Sequence, residues 1–148
     1  MVEKNLLMAN SGFTTKVKSE TMSDKIHLVC AHCGAVNRLP EERLAENPRC
    51  GKCGDPVLSG RPVDLDDASF QRFISRNDVP VVVDFWAEWC GPCRVLGPLL
   101  ETMADRYGGA FELAKVDVDH NQALASQFGV QGIPTVIAFR DGAPVSRF

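Results

Sequence analysis

The spacing of apolar residues along this chain changes several times, and each change marks an element. The run Val81-Val82-Val83-Asp84-Phe85-Trp86 is nearly continuous and opens on three β-branched valines, the pattern of a buried strand. After Cys93 the period lengthens. Leu96, Leu99, Leu100, Met103, Ala104 and Tyr107 recur at three- and four-residue spacing, which predicts a helix to about Tyr107 with these six as its buried stripe. Pro98 should kink it, because proline lacks an N–H and crowds the carbonyl of Arg94. Gly108-Gly109 ends it.

Ahead of the valines, Val63 and Leu65 suit a short edge strand. Phe70, Phe73 and Ile74 mark one face of a helix, capped by Asp66 or Asp67 and closed by Asn77-Asp78. Beyond the long helix, Phe111–Asp117 reads as a strand. Asn121 is placed to cap a short helix carrying Leu124 and Phe128, which Gly129 stops. Thr135–Arg140 is a further strand, turned by Asp141-Gly142 into Ala143–Phe148. The order βαβαβαββ predicts an α/β fold, a mixed sheet with helices on both faces.

The chain before this unit divides in two. Residues 1–24 are polar and without period, which suits a disordered extension, a cloning remnant or an alternative start at Met22. Residues 25–58 hold a separate small unit and residues 59–148 the larger one, joined at the breakers Gly60 and Pro62. In the small unit Cys30-Ala31-His32-Cys33-Gly34 and Cys50-Gly51-Lys52-Cys53-Gly54 are near repeats, with sixteen residues between Cys33 and Cys50. That is ribbon spacing for a four-thiolate structural zinc site on Cys30, Cys33, Cys50 and Cys53, since two such turns complete a tetrahedron. Gly34 and Gly54 can take the left-handed conformation such turns need. Iron would accept the same ligands, and four cysteines without metal are the alternative. A metal also explains how so small a core, with Val29, Val36, Leu39, Leu44 and Val57, could fold. His32 reads as solvent-facing and His27 as a weak substitute ligand.

Composition narrows the classes. The 148 residues are 45% apolar with a formal charge of -3, which gives no sign of an electrostatic nucleic-acid or membrane binder. Within residues 28–58, Arg38, Arg43, Arg49 and Lys52 are balanced by Glu41, Glu42, Glu46 and Asp55, so the ribbon presents no basic reading face. No apolar run reaches membrane-spanning length. Leu6-Leu7-Met8-Ala9 is too short for a signal segment, and the expected compartment is reducing and cytoplasmic. There the third pair, Cys90-Gly91-Pro92-Cys93, set between a buried strand and a helix, reads as a thiol–disulfide site rather than a pair of inert core cysteines or half of a zinc site.

These motifs carry a resemblance. VVVDFWAEWCGPC, the kinked helix with Pro98, the strand with Lys115-Val116-Asp117, and Gly132-Ile133-Pro134-Thr135 together resemble the thioredoxin family, in its two-domain bacterial type with an N-terminal zinc ribbon. The resemblance covers about residues 28–148. It implies a thioredoxin fold, a cis peptide before Pro134 facing the cysteines, and Asp84 as a buried acid behind them with Lys115 its neighbour. It also implies a last helix against the sheet, which this sequence lacks; a partly bare sheet face and an unprotected edge strand are expected.

The implied chemistry is protein-disulfide reduction. Cys90, at a helix N-terminus, is the expected nucleophile. Cys93, one turn in and more buried, is expected to resolve the mixed disulfide. Asp84, a charge within an apolar strand, is either a paired carboxylate or a proton carrier for Cys93 whose pKa is raised by desolvation, with Lys115 moderating the rise. Trp89 and Ile133, with Gly91, Pro92 and Pro134, are expected to form the apolar groove for oxidised protein substrates. Trp86 is expected to pack beside the site and His120 to lie on the surface. The implied partner is a thioredoxin reductase, flavin-containing and NADPH-dependent, and no tightly bound organic cofactor is expected. The rival readings are a disulfide oxidase or isomerase, and a zinc-ribbon interaction module using the larger unit as a scaffold.

Overall fold

The computed structural model describes residues 24–58 and 60–148; the expectations for the N-terminal extension and for Met22 lie outside the described residues. The small unit begins with β1 (Lys25–Val29) and β2 (Val36–Pro40), antiparallel, with Leu28 opposite Asn37 and Val29 opposite Val36. A 3-10 turn over Glu41–Glu46 follows. The two C-x-x-C turns are built alike. The amide of Gly34 donates to the Cys30 carbonyl at 3.0 Å, and that of Gly54 to the Cys50 carbonyl at 2.9 Å. Both glycines have positive φ, 79° and 83°, which explains why glycine follows each second cysteine.

The larger unit contains β3 (Val63–Asp64), α1 (Phe70–Arg76), β4 (Val81–Trp86), α2 (Gly91–Arg106), β5 (Glu112–Asp117), α3 (Gln122–Gln127), β6 (Thr135–Arg140) and β7 (Ala143–Arg147). The sheet order is β3-β5-β4-β6-β7; β3 and β4 run parallel to β5, and β6 is antiparallel to β4 and β7. β4 therefore lies in the middle, which accounts for its valine-rich run. Val81, Val83 and Phe85 point to one face, where Phe70, Phe73 and Ile74 of α1 and Leu124 of α3 join Ala114, Val116, Ile137 and Phe139 in the main core. Phe70 and Phe139 meet edge to face, with centroids 5.5 Å apart. Asp84 and Trp86 alternate to the opposite face, the side of α2.

The two units are packed together. Asn77, buried at the C-terminus of α1, accepts the Val29 amide on Oδ1 at 2.9 Å and donates from Nδ2 to the Phe73 carbonyl at 2.8 Å. Beside it the Asp78 amide donates to the His27 carbonyl at 2.8 Å, and the His27 amide to Asp78 Oδ2 at 2.6 Å. The Arg72 guanidinium donates to the Gly34 carbonyl at 2.9 Å. β1 is thus covered on both faces. Leu28 belongs to the small core with Leu39 and Val57, whereas Val29 enters the main core, with Val36 packed against it. The expectation that Val29 and Val36 serve the small core is corrected by this docking.

Other expectations are refined by the packing. In α2 only Leu96, Leu100 and Ala104 of the expected stripe are half-buried; Leu99, Met103 and Tyr107 are exposed, along with Val95. The helix rests on the sheet along one line, and the adjoining line of apolar residues faces away. Asn121 occupies the N-cap of α3 but does not cap it with its side chain. Its Oδ1 accepts the Asp67 amide at 3.0 Å, and Asp67 Oδ1 in turn accepts the Leu124 amide at 3.3 Å, so the cap comes from across the fold. Asp66 caps its own turn, accepting the Ala68 and Ser69 amides. No helix follows β7 among the described residues, and β7 is exposed along its length. Arg147 ties it to the end of α3 through the carbonyls of Phe128 and Gly129.

Candidate active site and metal centre

β4 delivers the chain to Ala87, and a turn with the Cys90 amide on the Ala87 carbonyl, 3.1 Å, leads into α2. Cys90 is the N-cap residue, in extended conformation, with Gly91 and Pro92 in the first helical turn. This is where proline fits a helix, because its missing N–H would have no intrahelical partner. The side chain of Cys90 accepts the Cys93 amide at 3.2 Å. The two cysteines are joined in a disulfide, Cα atoms 5.3 Å apart. Both are buried, Cys90 at 3% exposure and Cys93 at 5%, so Cys93 is not the more buried of the pair. Both cysteines cluster with Ala87, and Trp86, Val118 and Ile133 pack against that cluster.

Trp89 is 68% exposed and its Nε1 donates to Asp119 Oδ2 at 2.9 Å. Gly91 and Pro92 are exposed, and Ile133 and Pro134 are half-buried. The Ile133–Pro134 bond is cis, and Ile133 packs on the cysteine cluster. Trp86 packs against the cluster from the sheet side. His120 is on the surface, its ring 2.9 Å from Asp117.

Asp84 is buried at 1% exposure, and its Oδ1 has no hydrogen-bond partner. Burial pushes its carboxyl above the ordinary range, and the Lys115 ammonium opposes the rise. Lys115 is register partner to Asp84 in the parallel ladder, which puts both side chains on the α2 face. Its Nζ lies 4.3 Å from the ring centroid of Trp86, a cation–π contact that holds the ammonium over the site's tryptophan.

In the ribbon the sulfurs of Cys30, Cys33, Cys50 and Cys53 all lie within 4.8 Å of one another. The cross-knuckle separations are 3.7 Å for Cys30–Cys53 and 3.6 Å for Cys33–Cys50. A tetrahedral zinc with Zn–S of about 2.3 Å requires an edge of about 3.8 Å, so the donor set fits the ion. The sulfurs also show why a cation suits them. Hydrogen bonds, first from the Cys53 amide and then from Asn37 and the Lys52 amide, pull Cys50 down to about 6. The Asp55 amide pulls Cys53 the same way, but desolvation and the neighbouring sulfurs of Cys30, Cys33 and Cys50 outweigh it and push Cys53 up to about 12. Cys53 is exposed, so we assign its rise to the crowded sulfurs more than to burial. The histidines are engaged elsewhere: His27 Nδ1 lies 3.2 Å from Asp78, and His32 Nδ1 3.4 Å from Asp55.

Sequence reasoning passed over three residues. Asn77 and Asn37 are polar side chains that tie the ribbon together or to its neighbour; the signal for Asn37 was an asparagine inside a strand-like run, where that residue is disfavoured. Glu112 gave no signal. It is buried, and burial pushes it up to about 8. It lines a cavity of about 260 Å³ with Leu44, Leu58, Arg61, Phe111 and Leu113, at the junction of the two units.

Comparison with known proteins agrees with both sites. The family described as Thioredoxin matches residues 61–148, and the zinc ribbon described as Thioredoxin 2, N-terminal, matches residues 29–55. The chain is 42% identical to Thioredoxin C-3 of Corynebacterium nephridii over 120 residues, covering 81% of this chain and 82% of that one. It is 44% identical to a thioredoxin of Pseudomonas aeruginosa over 85 residues, 57% of this chain and 79% of that one. Among solved structures, a mutant thioredoxin from Halobacterium salinarum NRC-1 superposes with a TM-score of 0.55 at 42% identity, covering 60% of this chain and 77% of that one.

Proposed function

The chain belongs to the thioredoxin family, a thiol–disulfide oxidoreductase with an N-terminal zinc-ribbon-like domain, and from that premise we propose that it is a general protein-disulfide reductase. The carrying observation is the Cys90–Cys93 disulfide at the N-terminus of α2, beside an exposed Trp89 and the cis Ile133–Pro134 peptide. In the reduced protein the Cys90 thiolate, favoured by the helix terminus, attacks one sulfur of a substrate disulfide. That S–S bond breaks, a mixed disulfide forms, and the departing substrate thiolate takes a proton. Cys93 loses its proton to Asp84, directly or through water, and attacks Cys90 Sγ. The second substrate thiolate leaves, and the Cys90–Cys93 disulfide remains. Lys115 keeps the Asp84 carboxyl from rising further, so that it can accept and return that proton. Trp89, Gly91, Pro92, Ile133 and Pro134 form the groove against which the substrate chain lies.

A thioredoxin reductase that passes two electrons from NADPH through a flavin regenerates the dithiol. We place the domain division at about residue 58 and the compartment in the cytoplasm, where cysteines stay reduced and available as ligands. Zinc on Cys30, Cys33, Cys50 and Cys53 is structural: four sulfurs close the shell and leave no position for a substrate. The test is NADPH-coupled insulin reduction with a purified thioredoxin reductase. Turnover that survives Cys93→Ala, or no turnover in the folded wild-type protein, excludes the reductase reading; the latter outcome favours the scaffold.

A further inference from the structure

Asparagine suits turns better than strand interiors, yet Asn37 sits second in β2. Its side chain reaches out of the strand into the other knuckle. Oδ1 accepts the Gly51 amide at 2.8 Å, while Nδ2 faces the Ala35 carbonyl at 3.3 Å and Cys50 Sγ at 3.5 Å. The chemistry of these partners fixes the amide's orientation. A backbone N–H requires the oxygen, and a carbonyl and a sulfur require the nitrogen; a flipped amide would lose all three contacts. Ala35 follows the first knuckle, and Cys50-Gly51 opens the second. One planar group thus spans the two halves of the metal site. Among the described residues, Asn37 is the side chain other than cysteine that donates to a ligand sulfur.

The span matters because the short sulfur pairs, Cys30–Cys53 and Cys33–Cys50, both cross between knuckles. The shape of the tetrahedron therefore depends on how one knuckle is set against the other. The alternative ties are weaker: His32 and Asp55 meet at 3.4 Å on the exposed rim, where an ion pair contributes little. Cys50 is also the better held of the second pair. It is buried and takes the Lys52 amide at 3.4 Å as well as Asn37, whereas Cys53 is exposed. Hydrogen bonds to a metal-bound thiolate orient its lone pairs and draw charge from it, so it exchanges less readily.

We propose that Asn37 is an outer-sphere positioning residue that locks the second knuckle to the first and makes Cys50 the anchoring sulfur, with Cys53 the ligand that is released first. The proposal rests on the zinc reading of the four cysteines. Its test uses the full chain, loaded with zinc, and follows metal transfer to a chromophoric chelator. Metal content is measured alongside, and thiols freed during transfer are alkylated and mapped by mass spectrometry. Asn37→Asp is the decisive variant. It keeps an oxygen for the Gly51 amide but sets a carboxylate beside the Cys50 thiolate. Asn37→Ala removes both contacts. Both variants should lose zinc affinity by roughly 10–100-fold, with Asp at least as damaging as Ala, and wild-type protein should show Cys53 alkylated ahead of Cys50. Insulin reduction by loaded protein should be unchanged, since the Asn37 side chain makes its hydrogen bonds within the ribbon and is not part of the cluster around the Cys90 pair.

Wild-type protein that binds no zinc would refute the metal reading itself. Wild-type protein that holds one zinc, with Asn37→Asp transferring it at the wild-type rate, would overturn the role of Asn37 alone. Rescue by Asp relative to Ala would show that the Gly51 contact suffices and would reject the sulfur contact. Early alkylation of Cys50 would reject the order of release. Should Asn37→Ala fail to fold, the Asp variant and the alkylation order in wild-type protein still decide the matter.

Discussion

Cys90 and Cys93 have the same spacing as each pair in the ribbon, yet the two regions are built for opposite ends. In the ribbon each second cysteine is followed by a glycine at positive φ, so the chain turns back and leaves two sulfurs pointing at a second such turn. At the larger unit's site Arg94 follows Cys93 and the chain continues as α2. Among the described residues no further metal-ligating side chain gathers with Cys90 and Cys93, and Cys93 is bonded to Cys90. The spacing offers two nearby sulfurs; the backbone after the second one decides between metal and disulfide exchange. The surroundings differ in the same sense. The ribbon sulfurs are crowded by one another and by amide donors, while the redox pair sits in an apolar cluster beneath an exposed tryptophan.

The largest effect that would break this contrast is an exchange of roles. Cys90→Ser should reduce insulin turnover to background, and Cys93→Ser should accumulate a mixed disulfide through Cys90 that non-reducing electrophoresis displays. Cys53→Ser should leave disulfide exchange at the Cys90 site in place. Loss of exchange in Cys53→Ser, with the larger unit folded, would show that the two regions are chemically one.

Next in size is removal of the metal. Four thiols without a cation cannot hold so small a core, and the ribbon should lose its structure. The docking extends the damage. Val29 leaves the main core, at a cost of about 1.5–3 kcal/mol, and Asn77 loses the amide it buries. Chelated protein should therefore show a lower urea midpoint for the larger unit, read from tryptophan fluorescence, while retaining reductase activity below that midpoint. An unchanged midpoint would mean that the ribbon is a detachable module.

The two buried carboxyls sharpen the comparison further, since one lies at the junction and one in the central strand that leads to the redox pair. Both are raised by burial, so the sign is shared. A carboxyl with a raised folded pKa costs nothing below its unfolded value of about 4. The penalty grows as pH rises through that value and is complete above the folded one. For Glu112, raised to about 8, the penalty at neutral pH is on the order of a few kcal/mol. Glu112→Gln should raise the melting temperature at pH 7, show no gain below about pH 4, and leave turnover alone. Asp84→Asn should give a smaller gain with the same pH dependence, because Lys115 offsets part of the burial cost. It should also slow turnover, by up to roughly 10²-fold. Equal turnover in Asp84→Asn and wild type would reduce Asp84 to a structural acid like Glu112.

The sequence alone determined the order of elements, both cysteine sites and the family, because each is carried by local signals. The period of apolar residues separates strand from helix. Gly34, Gly54 and Pro92 state the backbone each turn requires. Asp84 stood out as a charge in a strand that needs burial. Tertiary structure decided whatever depends on a neighbour distant in sequence. Leu28 and Val29 are adjacent apolar residues, and only docking against α1 sends them into different cores. The α2 residues predicted as one stripe are divided, on docking against the sheet, between a half-buried line and an exposed one. Asn121 sits where a cap belongs, yet Asp67 supplies the cap from across the fold. Glu112 carries no signal in the sequence, and it is the packing at the ribbon junction that buries it. Periodicity tells a chain which of its faces is apolar; which partner covers that face, and whether any does, is settled only when the pieces are packed together.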